Sequence, residues 1–317
     1  MSWALGSGWQ APAGFYRPAR KPRGARLRSL LANRPAVFGG IVVLLLGLTA
    51  IGAPLLAPDD PVRQDYDAIL ASPGLDHPLG TDRLGRDTLS RLIYGARTSL
   101  SVGVLAQVIV LAIGVPVGVI AGYAGARVDN LLMRGVDIAY AFPDLLLIIL
   151  LRAILGGSIY MMVLAVGLAS WPSVARLIRG QFLSLKEREF VLASRAVGAG
   201  GRYIVLRHLL PNTLGPMIVL VVFLVPKAIF AEAALSYIGI GVTPPTPSWG
   251  SMVQEGYGVV FGAYEQVLFP SIAIALVMMA FTFLGDGLRD LLDPHARSSP
   301  RSGRRESSPI EGNVNEE

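Results

Sequence analysis

The sequence predicts an all-α polytopic membrane protein with six transmembrane helices, and three observations carry that prediction. Of its 317 residues, 52% are hydrophobic and 16% charged, against about a quarter charged in a soluble domain. Mean hydropathy is +0.53. The apolar residues are also gathered into runs of about 20, the length that crosses a hydrocarbon core. A net charge of +6 in such a chain fits orientation by cytoplasmic Arg and Lys rather than nucleic-acid binding.

Taken in order, residues 1–35 are rich in Pro, Gly and Arg without apolar periodicity, and predict a disordered basic tail. The predicted spans are 36–57, 98–122, 134–155, 159–178, 212–235 and 267–288. The first, AVFGGIVVLLLGLTAIGAPLLA, carries no charge. A punctuated polar stretch follows to Arg97, with a short amphipathic helix expected near Arg86 to Tyr94. The Gly and Pro of the second span suit a helix packed closely among helices. Asp137, Asp144 and Arg152 interrupt the third. Between the last two spans, SYIGIGVTPPTPSWGSMVQEGYG is broken by Pro and Gly and reads as a re-entrant or surface loop, not a seventh span. Residues 291–317 form a second tail, expected to be disordered.

Arg and Lys set the sidedness. The first tail holds seven of them between Arg17 and Arg34 and is expected in the cytoplasm. Six crossings then place residues 180–211 and the C-terminal tail on the same side, where both carry several more. The five arginines of the 58–97 stretch run against this pattern; its length and its aspartates allow it to lie outside.

The chain holds three lysines, none following a glycine, so a phosphate-cradling GxxxxGK[ST] loop is absent and no ATP hydrolysis is expected of it. There is no HExxH, no GxSxG and no cysteine, and no catalytic residue or metal ligand set is assigned. Ionisable residues inside spans are functional candidates, because hydrocarbon penalises charge. Asp137, Asp144, Lys227 and Glu232 therefore qualify, the three acids as candidates for the pathway or a gate, and a structural hydrogen bond is the alternative for Glu232.

One cytoplasmic segment stands out: EFVLASRAVGAGGRYIVLRHLLPN, residues 189–212. Glu189 to Val197 predicts a helix that Gly198 terminates. Phe190, Ala193 and Val197 give it one apolar stripe. Arg202 to Leu210 predicts a second amphipathic stretch ending at Pro211. The pattern fits equally a helix seated in a partner's groove and a helix lying on anionic lipid.

The same segment resembles the E-A-A…G…I-x-L-P signature of integral-membrane permease subunits of bacterial ABC importers, through Glu189, Ala193, Ser194, Gly198, Ile204 and Pro211. Ser194 stands where that family has a second alanine. HPLGTDRLGRDTLSRLIYGARTSLSVG and EAALSYIGIGVTPPTPSWGSM resemble the dipeptide/oligopeptide/nickel branch, specifically its C-type subunit, and the likeness spans about residues 30 to 297.

The resemblance implies a type I importer fold divided into a tail (1–35), a first helix with an external segment (36–97), a permease core (98–290) holding the coupling loop 180–211, and a second tail (291–317). It implies that Glu189, Phe190, Ala193, Ser194, Arg195, Gly198 and Pro211 couple to an ATPase, and that Asp82, Arg83, Arg86 and Asp87 touch a binding protein or form a self-satisfied external loop. The implied partners are a homologous permease subunit, two ABC ATPase subunits carrying the ATP and magnesium, an external solute-binding protein and membrane lipid. The implied location is the bacterial inner membrane, with both termini cytoplasmic. Dipeptides or oligopeptides are the expected solutes; nickel or another small solute, or a proton-coupled secondary transporter, are the alternatives.

Overall fold

The computed structural model describes residues 33–292. The predicted tails, with the arginines that set the sidedness of the N-terminus, lie outside the described residues except at their inner edges. There Arg34 and Pro35 open the first helix, and Leu292 closes the last. Among the described residues there is no β-sheet; a single bridge joins Thr81 to Asp87.

The first helix, α1 (Arg34–Ile51), starts on Asn33, whose side chain accepts the Ala36 N–H at 3.3 Å. Its apolar run was expected to continue to Ala57, but the chain breaks at Gly52, ahead of Pro54, and restarts as the single turn α2 (Ala53–Leu56). Proline has no N–H to donate to the preceding turn, so the ladder of α1 does not run on through Pro54. The polar stretch that follows folds back on itself. Gly85 sits there at φ +71°, where a Cβ would collide with the Asp65 carbonyl.

Residues 86–94 do not form a separate amphipathic helix. Asp87 caps a helix of 36 residues, α3 (Thr88–Tyr123), accepting the Ser90 N–H at 2.7 Å. At 1.5 Å per residue α3 is about 54 Å long, well beyond a 30 Å hydrocarbon core. The molecule therefore has two ends that project past the bilayer. The end with Tyr123 is called the base here, and the end with Thr88 the crown. Gly114, Gly118 and Gly122 run down α3 against Val174, Ile178 and Phe182 of α6 (Ile159–Leu185). A side chain at any of the three would overlap α6, so small residues set this close crossing.

The third predicted span is broken. It consists of α4 (Ala126–Ala141) and α5 (Asp144–Leu155), bent by 86° at Phe142 and Pro143. Pro143 holds Phe142 extended (φ −83°, ψ 132°), which stops α4. Asp129, near the start of α4, binds Arg179 at the base, whereas Arg152, near the end of α5, binds carbonyls at the crown. The bent pair therefore makes one crossing, and with the five long apolar helices it brings the total to six.

The fifth span is longer than expected. A single rod, α8 (Gly201–Tyr237), contains both the second amphipathic stretch and the apolar run. Pro211 does not end that stretch. The preceding residues, Val205–Leu209, form a π turn in which Leu210 N–H donates to Val205 O, so the helix widens just ahead of the proline and runs on. Between α8 and α10 (Glu265–Leu292) lies α9 (Trp249–Tyr257). Its nine residues are too few to cross, in keeping with the re-entrant or surface reading. Trp249 is buried against Gly95, donating its indole N–H to Leu92 O at 3.0 Å.

Candidate functional site

At the base, α7 (Glu189–Ala196) lies across the ends of the long helices. Glu189 at its first position suits the positive end of the helix dipole. Gly198, at φ +85°, closes it in a Schellman motif: its N–H reaches Arg195 O at 2.9 Å, and Ala199 N–H reaches Ser194 O at 3.0 Å. Val191, which the apolar stripe had omitted, is the anchor. It is fully buried with Ile178, Phe182, Ile204 and Leu209.

Phe190, Ala193 and Val197 turn the other way. Val197 is 85% exposed and Phe190 43%. Together with Ser194, Gly198, Tyr203 and His208 they line an open hollow of about 730 Å³. The His208 ring packs against both Phe190 and Tyr203, at centroid distances of 6.0 and 5.6 Å. Glu189 and Arg195 are exposed, and neither forms an ion pair among the described residues. Pro211 is exposed on the adjoining rod, beyond the hollow. The surface thus offers an aromatic-walled, apolar hollow rimmed by unpaired charge, a shape suited to receiving a protruding element of another protein.

The candidate intramembrane acids separate. Asp129, Asp137 and Asp144 all belong to the bent α4–α5 pair, and each meets a base on a core helix. Arg179 grips Asp129 with two bonds of 2.5 and 2.7 Å. Arg176 donates to Asp137 at 2.7 Å, with its guanidinium 4.0 Å from the centre of the Tyr140 ring. Lys227 of α8 pairs with Asp144.

Glu232 does not share this arrangement. It is fully buried, accepting from Ser99 at 2.9 Å and Ser236 at 2.6 Å, with Ser248 hydrogen-bonded to Ser236 behind them. That geometry encloses the Glu232 carboxylate within the chain among hydroxyl donors.

At the crown, three of the four residues expected to touch a binding protein are turned inward. Asp82, Arg86 and Asp87 are each less than a tenth exposed, and Arg83 alone is exposed. Arg86 binds Asp82 at 2.7 Å and Glu255 of α9 at 2.5 Å, and Arg91 binds the same Glu255 oxygen at 2.8 Å. Asp87 caps α3 and meets His77 at 3.0 Å. The cluster is two acids against two bases, closed on itself, because buried charge must be paired. The self-satisfied loop describes this network. Glu255 and Arg91, unnoticed in the sequence, complete it.

Arg152, noted in the sequence as an interruption of the third span, has a structural role at the crown. Buried to 3% exposure, it donates to the carbonyls of Gly156, Gly157 and Ser158 and to those of Ile240 and Gly241, tying two crown loops together. No group of three or more His, Cys, Asp or Glu that could hold a metal occurs among the described residues.

Residues 114–298 match the family model of the binding-protein-dependent transport system inner membrane component. Residues 24–73 match that of the N-terminal TM domain of oligopeptide transport permease C. The chain is 43% identical over 271 residues to the dipeptide transport system permease protein DppC of Bacillus subtilis, covering 85% of each chain. It is 41% identical to the oligopeptide transport system permease protein OppC of the same organism, over 84% of this chain and 87% of that one. Against the glutathione transport system permease protein GsiD of Pectobacterium atrosepticum it is 39% identical, over 86% of this chain and 90% of that one. In fold it is similar to a chain of the inward-facing MetNI methionine ABC transporter, with a TM-score of 0.53 at 19% identity, covering 63% of this chain and 96% of that one.

Proposed function

The chain belongs to the family of binding-protein-dependent transport system inner membrane components and is a multi-pass permease subunit of an ABC importer; on that premise we propose that its cargo is dipeptides or short oligopeptides. One observation carries the cargo reading. Three relatives that align over more than four-fifths of this chain are named for dipeptides, oligopeptides and glutathione, each of them a peptide. The permease core at 98–290 forms half of the pathway, a homologous permease subunit supplies the other half, and an external binding protein delivers the cargo. Both termini and the 180–211 loop face the cytoplasm.

The chain has no phosphate-binding loop, so two partner ATPases bring the ATP and magnesium. The hollow beside α7 receives one of them. Phe190, Ala193, Ser194 and Gly198 line it, while Glu189 and Arg195 carry the free charge that fixes register. ATP drives import only in so far as the ATPases bind the outward-open and inward-open states with different affinity.

Reconstitution tests this reading. The chain is assembled in proteoliposomes with its partner permease, two ATPases and binding protein, and uptake of labelled di- and tetrapeptides is followed. ATP-dependent peptide accumulation that a protonophore leaves intact is expected. Accumulation that needs a proton gradient and no ATPase refutes it.

A further inference from the structure

The Asp144–Lys227 pair sits where charge is least expected. Lys227 lies about 15 Å from the Tyr237 end of α8, and Asp144 about 16 Å from the Leu155 end of α5, at 1.5 Å per residue. Both helices end at the crown, so both measures place the pair a few turns below it, inside the apolar stretches that make the crossings. Yet the pair is not enclosed: the Lys227 side chain is 53% exposed and that of Asp144 37%. Beside it opens a small hollow of about 50 Å³, lined by Leu145, Ile148, Val166, Ser170 and Ala231.

An ion pair half open to hydrocarbon is strongly disfavoured, and intramembrane charges face a bundle interior or a water-filled cavity. This face of α5 and α8 therefore does not meet lipid. Glu232, only five residues along α8, shows the contrasting arrangement, enclosed and bonded within the chain. Asp144 and Lys227 are paired but uncovered. A solvated pair of this kind is held weakly, so its partners exchange readily.

We propose that Asp144 and Lys227 form a transit site for the charged ends of the peptide. The α-ammonium displaces Lys227 from Asp144, and the α-carboxylate takes Lys227. The pair holds itself closed when the pathway is empty and opens by exchange, with no charge left unpaired within the span. The break at Phe142–Pro143 contributes by starting α5 at this depth, with Asp144 in its first turn. This inference rests on the peptide reading above.

The absence of cysteine from this chain makes the test direct. Lys227→Cys and, separately, Ser170→Cys are introduced into the whole importer in proteoliposomes. Each is treated with a membrane-impermeant cationic thiol reagent, without nucleotide and with ATP, and labelling is read on this subunit alone; the wild-type subunit is the blank. Assembly is checked by co-purification, and Ser170→Cys, a near-isosteric change, guards against loss of the pair disturbing the fold. The expected result is aqueous labelling at either position that saturating peptide-loaded binding protein slows about tenfold, as occupancy of a shared site requires. Labelling that peptide does not slow, or no labelling at both positions in every nucleotide state, overturns the proposal. Wild-type proteoliposomes that accumulate no peptide refute the cargo reading instead, and that result is seen before any cysteine is introduced.

Discussion

At the crown, Asp82, Arg86, Arg91 and Glu255 direct their charge at one another and are closed to solvent. At the base, Glu189 and Arg195 stand on an exposed helix beside an apolar hollow and pair with nothing among the described residues. Both regions are glycine-punctuated, charged loops, GTDRLGRD in one case and REFVLASRAVGAGG in the other. What separates them is a residue far away in sequence. Glu255 reaches Arg86 across 169 positions and completes the crown, while the base shows no such complement among the described residues. Complete pairing marks a loop that serves the fold, and leftover charge marks one that serves another molecule.

The largest expected effect is at the crown. Glu255→Ala leaves Asp82 as the single acid against two buried guanidiniums, and breaking a buried pair costs about 3–5 kcal/mol. A sharp fall in thermal stability in detergent is expected, whereas Glu189→Ala should change stability by less than about 0.5 kcal/mol and instead lose the co-purifying ATPase. Equal stability losses at the two ends would erase the contrast.

A middle-sized effect separates backbone geometry from contact at the base. A Cβ on Gly198 would meet nothing within 4 Å, yet its φ is +85°. Gly198→Val therefore costs about 1–2 kcal/mol through conformation alone. Uptake should fall steeply in Gly198→Val and much less in Gly198→Asn, since asparagine tolerates the left-handed region. If the two variants behave alike, conformation is not what the glycine supplies.

The smallest effect sharpens the assignment of Glu232. Glu232→Gln keeps the shape and retains hydrogen-bonding atoms for the serines, at a stability cost of about 1 kcal/mol. Peptide uptake by reconstituted complexes should remain near the wild-type rate. Abolished uptake with unchanged stability would return Glu232 to the pathway.

Much of this architecture is legible from local pattern. Apolar runs mark the crossings, Gly198 ends its helix, and the α7 stripe exists, although it faces outward and Val191 holds the helix down. The errors share one cause. The bend at Pro143, the fusion of residues 86–94 into α3 and the continuity of α8 through Pro211 depend on how each break is absorbed, and a residue-by-residue reading treats every proline or charge as punctuation. The Pro211 ring is accommodated by a π turn that composition cannot reveal. The pairing within the charged clusters was illegible for a different reason: partners such as Glu255 and Lys227 lie 83 to 169 positions away.

Because the π turn lets α8 pass Pro211 as one rod, the coupling surface and Lys227 are mechanically a single lever. Lys227 stands about 39 Å from the Gly201 end at 1.5 Å per residue. A tilt of about 5° at that end sweeps it sideways by about 3 Å over such a length, roughly the separation between a contact ion pair and a parted one. A small rocking at the membrane surface is thereby geared up into a larger displacement at the Asp144–Lys227 pair.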